Sequence, residues 1–265
     1  MTAVAVADLE LAVLDHTDDE LRGDRFHEVL GGLAARGWLA RSPLGHLVLE
    51  REAGMEFLRD RRLAFPAVEL LELQGVTEGP VYDRTKNGLM ARTGQDHSRL
   101  RRLVTPAFTP RATEQLRPRL RELLDELWAP MAAAGSCEFV SAFAARLPSM
   151  VIAELLGLPG EDERLAQWST DLQGVFKMEG PEEQEALERS YLEVYTWVHE
   201  LVLERRASPG DDLVSALAAV EENGDRLSDE ECTTLVCSVI AGGTDTTQAQ
   251  LAQGMRLFVE HPAQW

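Results

Sequence analysis

Apolar residues recur at helical spacing along most of this chain. Phe26, Val29, Leu30 and Leu33 share one face of a segment Arg25–Arg36, which Gly37 ends. Trp38–Arg41 and His46–Glu50 flank Ser42-Pro43-Leu44-Gly45, a turn signal, and predict a small β-hairpin. A helix over Glu52–Arg61 follows. From Phe65 to Gly94 the pattern lapses at Gly75, Gly79-Pro80 and Asn87-Gly88, so a long irregular, substrate-contacting loop is expected there. Helical spacing resumes at Gln95–Val104 and is interrupted by Thr105-Pro106. It continues through Ala112–Ala134, which contains Pro118 and Pro130, and through Phe139–Leu156, which stops at Gly157. Glu161–Val175 and Glu182–Arg206 are two further helices separated by Glu179-Gly180-Pro181, and Asp211–Glu221 is a short one closed by Asn223-Gly224. Residues 1–24 are acidic and poorly patterned, which predicts a weakly ordered start. The simplest architecture is a single mainly α domain over residues 1–265 with a small β-hairpin near its beginning.

The longest helix is also the most informative. Ser228-Asp229-Glu230-Glu231 forms a capping box, and Pro262 biases His261 out of helical geometry, so one helix is predicted over 229–260. At 1.5 Å per residue its length is about 48 Å. Near its middle stands Gly242-Gly243-Thr244-Asp245-Thr246-Thr247, poor helix-forming sequence: each glycine costs about 1 kcal/mol relative to alanine, and three residues are β-branched. This predicts a break in the helix. Bare backbone with a hydroxyl four residues on suits binding a diatomic molecule, with Asp245 to relay protons. The competing reading is a helix–helix contact through small residues. An aspartic-protease reading fails because Thr247 stands where glycine should follow, and GxSxG, P-loop, HExxH and GxGxxG patterns are absent.

Charge adds a second feature. The chain carries −19 overall, which argues against nucleic acid as a partner. Yet Arg84–Arg121 holds ten basic residues against two acidic ones, net +8. Such an island is either a solvated helix surface or the seat of an anionic ligand or acidic partner. Three cysteines, Cys137, Cys232 and Cys237, lack CxxC spacing and favour neither a disulfide framework nor a zinc site. Met1–Glu10 lacks the basic start of a signal peptide, and the apolar run at 232–243 is too short to span a bilayer. A cytoplasmic protein without membrane contact is expected.

The hexapeptide has the form (A/G)-G-x-(D/E)-T-T and resembles the central-helix signature of the cytochrome P-450 family. Asp96-His97-Ser98-Arg99-Leu100-Arg101-Arg102 with Ala107-Phe108-Thr109-Pro110-Arg111 is similar to a run found in bacterial members, as are Ala153–Pro159 and Asp211–Leu217 at lower specificity. The resemblance implies a cytochrome P-450-like helical fold and a haem b-thiolate monooxygenase that inserts one atom of O2 into a small organic substrate. It implies that Thr246 hydrogen-bonds the activated oxygen, that Asp245 belongs to the proton route, and that Gly242 and Gly243 leave room for oxygen and haem. His97 and Arg101 would contact the haem propionates, and the basic 84–121 face would meet an acidic ferredoxin or flavodoxin-type electron donor. The family's ExxR pair and axial cysteine are expected beyond residue 265. Glu56–Arg59 and Glu161–Arg164 match ExxR by chance of position. The C-terminal part of the fold is therefore expected to be missing, leaving a chain inactive alone. The alternative is a haem-free helical binding or scaffold remnant.

Overall fold

The computed structural model describes residues 5–15, 18, 20–174 and 181–265, without the side chains of 110–113 and 181–184. Contacts divide the chain into two compact units, Met1–Ala64 and Phe65–Trp265, where the sequence suggests one domain. In the first unit, strands β2 (Leu39–Ser42) and β3 (Gly45–Val48) form the expected hairpin, with Leu39 opposite Val48. The described part of the start is better held than its acidic composition suggests: β1 (Ala12–Val13) adds to β2 in parallel, and Leu14 is buried beside it. Helix α1 (Gly23–Ala34) precedes the hairpin, and α2 (Arg51–Phe57) follows it. Trp38 stacks on Phe57 at 6.0 Å.

The second unit is almost wholly helical. The 65–94 stretch is not the irregular loop predicted. It contains α3 (Ala67–Leu73) and α4 (Pro80–Asn87). Gly79 and Pro80 begin a helix rather than interrupt one, because proline at the first helical position gives up only an amide that has no helical acceptor. Next come α5 (Gly94–Val104), a tight turn at Thr105–Phe108, and α6 (Pro110–Ala134), which continues through Pro118 and Pro130. A π turn at Val140–Ala144 leads into α7 (Arg146–Leu155), followed by α8 (Asp162–Gln173) and α9 (Pro181–Ala207). The expected end of α8 at Val175 and the turn at 179–180 lie outside the described residues.

Asp212 opens α10 (Leu213–Ala219) by accepting the Ser215 amide at 2.7 Å, and its other oxygen accepts Arg205 Nε at 2.7 Å. Gly157 is needed beside it: its φ is +69°, and a Cβ there would stand 2.7 Å from the Asp212 carboxylate. Asn223-Gly224 does not simply end a helix. It is the turn of a second hairpin, β4 (Glu221–Glu222) with β5 (Asp225–Arg226), both turn residues having positive φ.

Helix α11 (Asp229–Glu260) is opened by the capping box, with Ser228 Oγ accepting the Glu231 amide and Glu231 accepting the Ser228 amide. It packs against α7, α8, α9 and α10. Cys232, Val236, Ile240 and Thr244, spaced by four, are buried together with Thr233 and Cys237 on the adjoining row. Among the described residues no helix is long and apolar enough to cross a membrane.

Candidate functional site

The helix is not broken at the hexapeptide. Helical structure runs unbroken through 242–247, and two threonine hydroxyls turn back onto it: Thr246 Oγ1 donates to Gly242 O at 2.6 Å, and Thr244 Oγ1 to Ile240 O at 3.4 Å. Back-bonding of this kind satisfies the hydroxyls and tends to bend a helix without interrupting it. Just before the glycine pair, Ala241 O accepts Ser169 Oγ at 3.3 Å and Gln173 Nε2 at 3.0 Å, both from α8. Two side chains thus tie α8 to α11 at the point where the sequence would otherwise be weakest.

The two glycines have different tasks. A Cβ on Gly243 would stand 2.5 Å from Ile152 Cδ1, so this glycine lets α7 approach α11. That is the small-residue packing which the sequence left open as an alternative. A Cβ on Gly242 would meet nothing within 4 Å. Gly242 and Thr246 instead line a cavity of about 200 Å³, while Gly243 and Asp245 do not. Asp245 is half-buried and makes no side-chain hydrogen bond or ion pair among the described residues. Of the four α11 residues singled out in the sequence, the structure therefore brings Gly242 and Thr246 together on one cavity wall.

That cavity is mainly apolar. Ala67, Leu89, Met90 and Leu172 contribute to its wall, and Cys237 and Tyr191 border it. Burial pushes the Cys237 thiol up to about 12 and also raises the Tyr191 phenol, so both are neutral at physiological pH. Among the described residues Arg84, from α4, is the one charged residue in the lining. Nothing in the sequence singled it out from its basic neighbours.

A second cavity of about 350 Å³ lies between α5 and α11 and shares Leu89 and Ser238 with the first. Arg101 lines it beside Val104, Phe108, Leu235 and Val239. Among the described residues the Arg101 guanidinium has no ion-pair partner, unlike its neighbours. Arg99 is held by Asp225 at 2.8 Å and by Glu231 at 2.6 Å, and Arg102 by Glu222. Arg117 pairs with Glu114, and Arg119 with Glu122, Glu126 and Glu154. Much of the basic island is thus neutralised within the chain, by acids both near and remote in sequence. His97 is half-buried one turn before Arg101 and lines neither cavity.

The residues present suit the contacts of a haem better than its iron. An unpaired arginine on an apolar cavity can bind an anionic edge, and bare backbone at Gly242 can accept a flat or small group. An axial thiolate is a different matter. Cys232 and Cys237 are buried in α11, their thiols raised to about 11 and about 12 by burial, and Cys137 is exposed beyond the end of α6. Among the described residues no group of three His, Cys, Asp or Glu side chains could hold a metal ion.

No protein-family model matches the chain. Individual proteins do. The chain is 33% identical over 258 residues to luteothin monooxygenase of Streptomyces thioluteus, covering 97% of this chain and 63% of that protein. It is 31% identical over 221 residues to the polyketide biosynthesis cytochrome P-450 PksS of Bacillus subtilis, covering 81% of this chain and 53% of the other. The structure of a cytochrome P-450 from Chondromyces apiculatus superposes with a TM-score of 0.77 at 28% identity, over 96% of this chain and 63% of that one. These matches define the fold as that of the cytochrome P-450 structures. The chain belongs to the cytochrome P-450 family and spans about half to three fifths of the length of these relatives.

Proposed function

We propose that this chain forms the oxygen-facing and substrate-facing part of a haem-thiolate monooxygenase that inserts one atom of O2 into a small organic substrate. The observation that carries this reading is the placement of Gly242 and Thr246 on one wall of an apolar cavity. The unpaired Arg101 stands on an adjoining cavity. Bound haem b would supply oxygen activation, with His97 and Arg101 holding its propionates. Gly242 keeps the helix surface free of side-chain bulk on the cavity side. Thr246 Oγ1, which donates to Gly242 O, carries an exchangeable proton beside Gly242 on that wall. Asp245, next to it in sequence and without a partner among the described residues, is assigned to resupplying that proton. The apolar lining excludes water and holds the substrate body.

The electron donor is assigned as an acidic ferredoxin or flavodoxin-type protein at the basic 84–121 face. The internal ion pairs narrow the charges available for it. Among the described residues, Lys86 and Arg121 are exposed and unpaired and can steer such a partner. A cytoplasmic location is assigned on the free thiols and the lack of a membrane-spanning helix among the described residues.

The test is the ferrous–CO difference spectrum of the gene's full product and of residues 1–265 alone. A thiolate-type band is expected from the full product and not from residues 1–265. Absence of the band from a haem-loaded full product would overturn the proposal. Its appearance in residues 1–265 would mean that one of Cys137, Cys232 and Cys237 is the ligand. In the active protein, Thr246→Ala should change stability by less than about 1 kcal/mol while sharply lowering product formed per O2 consumed. Unchanged coupling would remove Thr246 from its assigned role.

A further inference from the structure

Gly242 joins two peptide planes whose carbonyls are held by different groups. The plane before it carries Ala241 O, which accepts Ser169 Oγ at 3.3 Å and Gln173 Nε2 at 3.0 Å from α8. The plane after it carries Gly242 O, which accepts Thr246 Oγ1 at 2.6 Å. A peptide unit is flat, so a bond to its oxygen constrains the tilt of the whole plane. The angle between successive planes is ordinarily narrowed by the Cβ of the residue that joins them, and glycine has none. At Gly242 the setting of the Thr246 acceptor therefore depends on contacts from outside the helix as well as on the helix's own ladder.

Those contacts are few. Near the start of α11, Arg99, Tyr195, His199 and Arg206 reach residues between 229 and 234. Beyond Thr234, among the described residues, the two bonds to Ala241 O are the only side-chain hydrogen bonds that another element makes to this helix. The two donors also brace each other, since Gln173 Nε2 donates to Ser169 Oγ at 3.3 Å. The orientation of the amide follows from its acceptor. A carbonyl has no proton to give, so the nitrogen of Gln173 and not its oxygen faces Ala241. Ser169 is fully buried, whereas Gln173 lies on the cavity wall beside Leu172. Gly243 is seated against Ile152 of α7, so the turn is held between two helices, by packing on one and by hydrogen bonds on the other.

We propose that Gln173 is a positioning residue for the turn at 241–246. Its amide sets the peptide plane between Ala241 and Gly242, and through it the Gly242 carbonyl to which the Thr246 hydroxyl is bonded. Gln173 acts through Ala241 and not on a reacting atom. The assignment rests on the oxygenase reading for the task that Thr246 performs, but not for the bond that holds the turn.

Hydrogen exchange of the gene's full product, read by mass spectrometry on peptides covering α11, tests the hold in Gln173→Met, Ser169→Ala and Gln167→Met. Methionine keeps nearly the length of glutamine but has no donor. Gln167 stands on the same helix and donates to Asp171 at 2.9 Å instead, so its substitution is the control. Exchange at 242–247 should quicken about fivefold or more in Gln173→Met, by less in Ser169→Ala, and not at all in Gln167→Met. Exchange at 229–238 should keep its wild-type rate in all three. Unchanged exchange at 242–247 in Gln173→Met would overturn the proposal, as would an equal quickening along the whole helix. In the active protein, Gln173→Met should lower product formed per O2 consumed by about twofold or more, with haem affinity unchanged. Added to Thr246→Ala it should lower it no further, because Gln173 acts through that hydroxyl. Additive losses would show a residue that is structural only and would overturn the positioning role. A protein in which Thr246→Ala itself leaves coupling unchanged fails the oxygenase reading of this turn, while the exchange rates still decide whether Gln173 holds it.

Discussion

At Gly242 and Gly243, adjacent and chemically identical residues answer to different neighbours. The sequence placed both beside oxygen and haem, whereas Gly243 is pressed against Ile152 and Gly242 faces open space. Their substitutions should therefore have opposite signs. Gly242→Ala should stabilise the chain by up to about 1 kcal/mol, because alanine restores helix propensity and meets no obstacle. Gly243→Val should destabilise it by about 1–3 kcal/mol, because its branches must displace Ile152, and Ile152→Ala should recover part of that loss. Urea unfolding of the four proteins measures both. Loss of stability in Gly242→Ala equal to that in Gly243→Val would contradict the division of labour. The motif itself was visible in six residues; of the two upstream residues singled out with it, Arg101 lines a cavity and His97 lines neither. Which glycine serves packing was not visible, because Ile152 is ninety-one positions away in sequence. Arg84 was hidden for a similar reason: only the fold places its guanidinium over the Tyr195 ring.

Among the elements, the long capped helix and the first hairpin follow from local signals, since capping boxes and turn residues act over three or four positions. The 65–94 stretch was misread because its helices are short and their ends carry the Gly and Pro that also mark loops. The second hairpin was missed for want of length: two residues per strand leave no alternation to detect. That hairpin nevertheless has a clear physical role, presenting Asp225 to Arg99 and Glu222 to Arg102. The bond to Arg99 holds the Asp225 carboxyl below its ordinary 3.8. For Glu231, burial pushes upward, but the bonds from Arg99 and the Ser228 amide outweigh it and hold the carboxyl below 4.5. Both are depressed on folding, so their stabilisation is complete above those ordinary values and is lost as pH falls through the lower folded ones. Arg99→Gln should therefore lower stability at neutral pH and lose less on acidification than the wild type. Urea midpoints from pH 7 downward check this, and parallel acid limbs would contradict it. Asp212 is the sharper case, because it caps α10 and pairs with the largely buried Arg205. Asp212→Ala should cost about 3–5 kcal/mol, with Asp212→Asn costing less because it keeps the cap. Equal losses would show that the cap contributes nothing, and an Asp212→Asn protein as stable as the wild type would show the same of the ion pair.

Across the whole molecule, charge is organised differently from its distribution along the chain. A segment of net +8 looks like a docking surface when read in order, yet Asp225, Glu231, Glu222 and Glu154 fold back to pair with its arginines. Arg101 stands out by contrast, unpaired and on an apolar cavity next to the Gly242 and Thr246 wall. The account depends on that residue facing a bound haem edge. Haem titration of the gene's full product, wild type against Arg101→Glu, tests this most directly, with Lys86→Glu as an equal change of charge on an exposed residue of the same segment. Affinity should fall about tenfold or more in Arg101→Glu and stay unchanged in Lys86→Glu. Equal haem affinity in all three proteins would contradict the assignment of this face to haem.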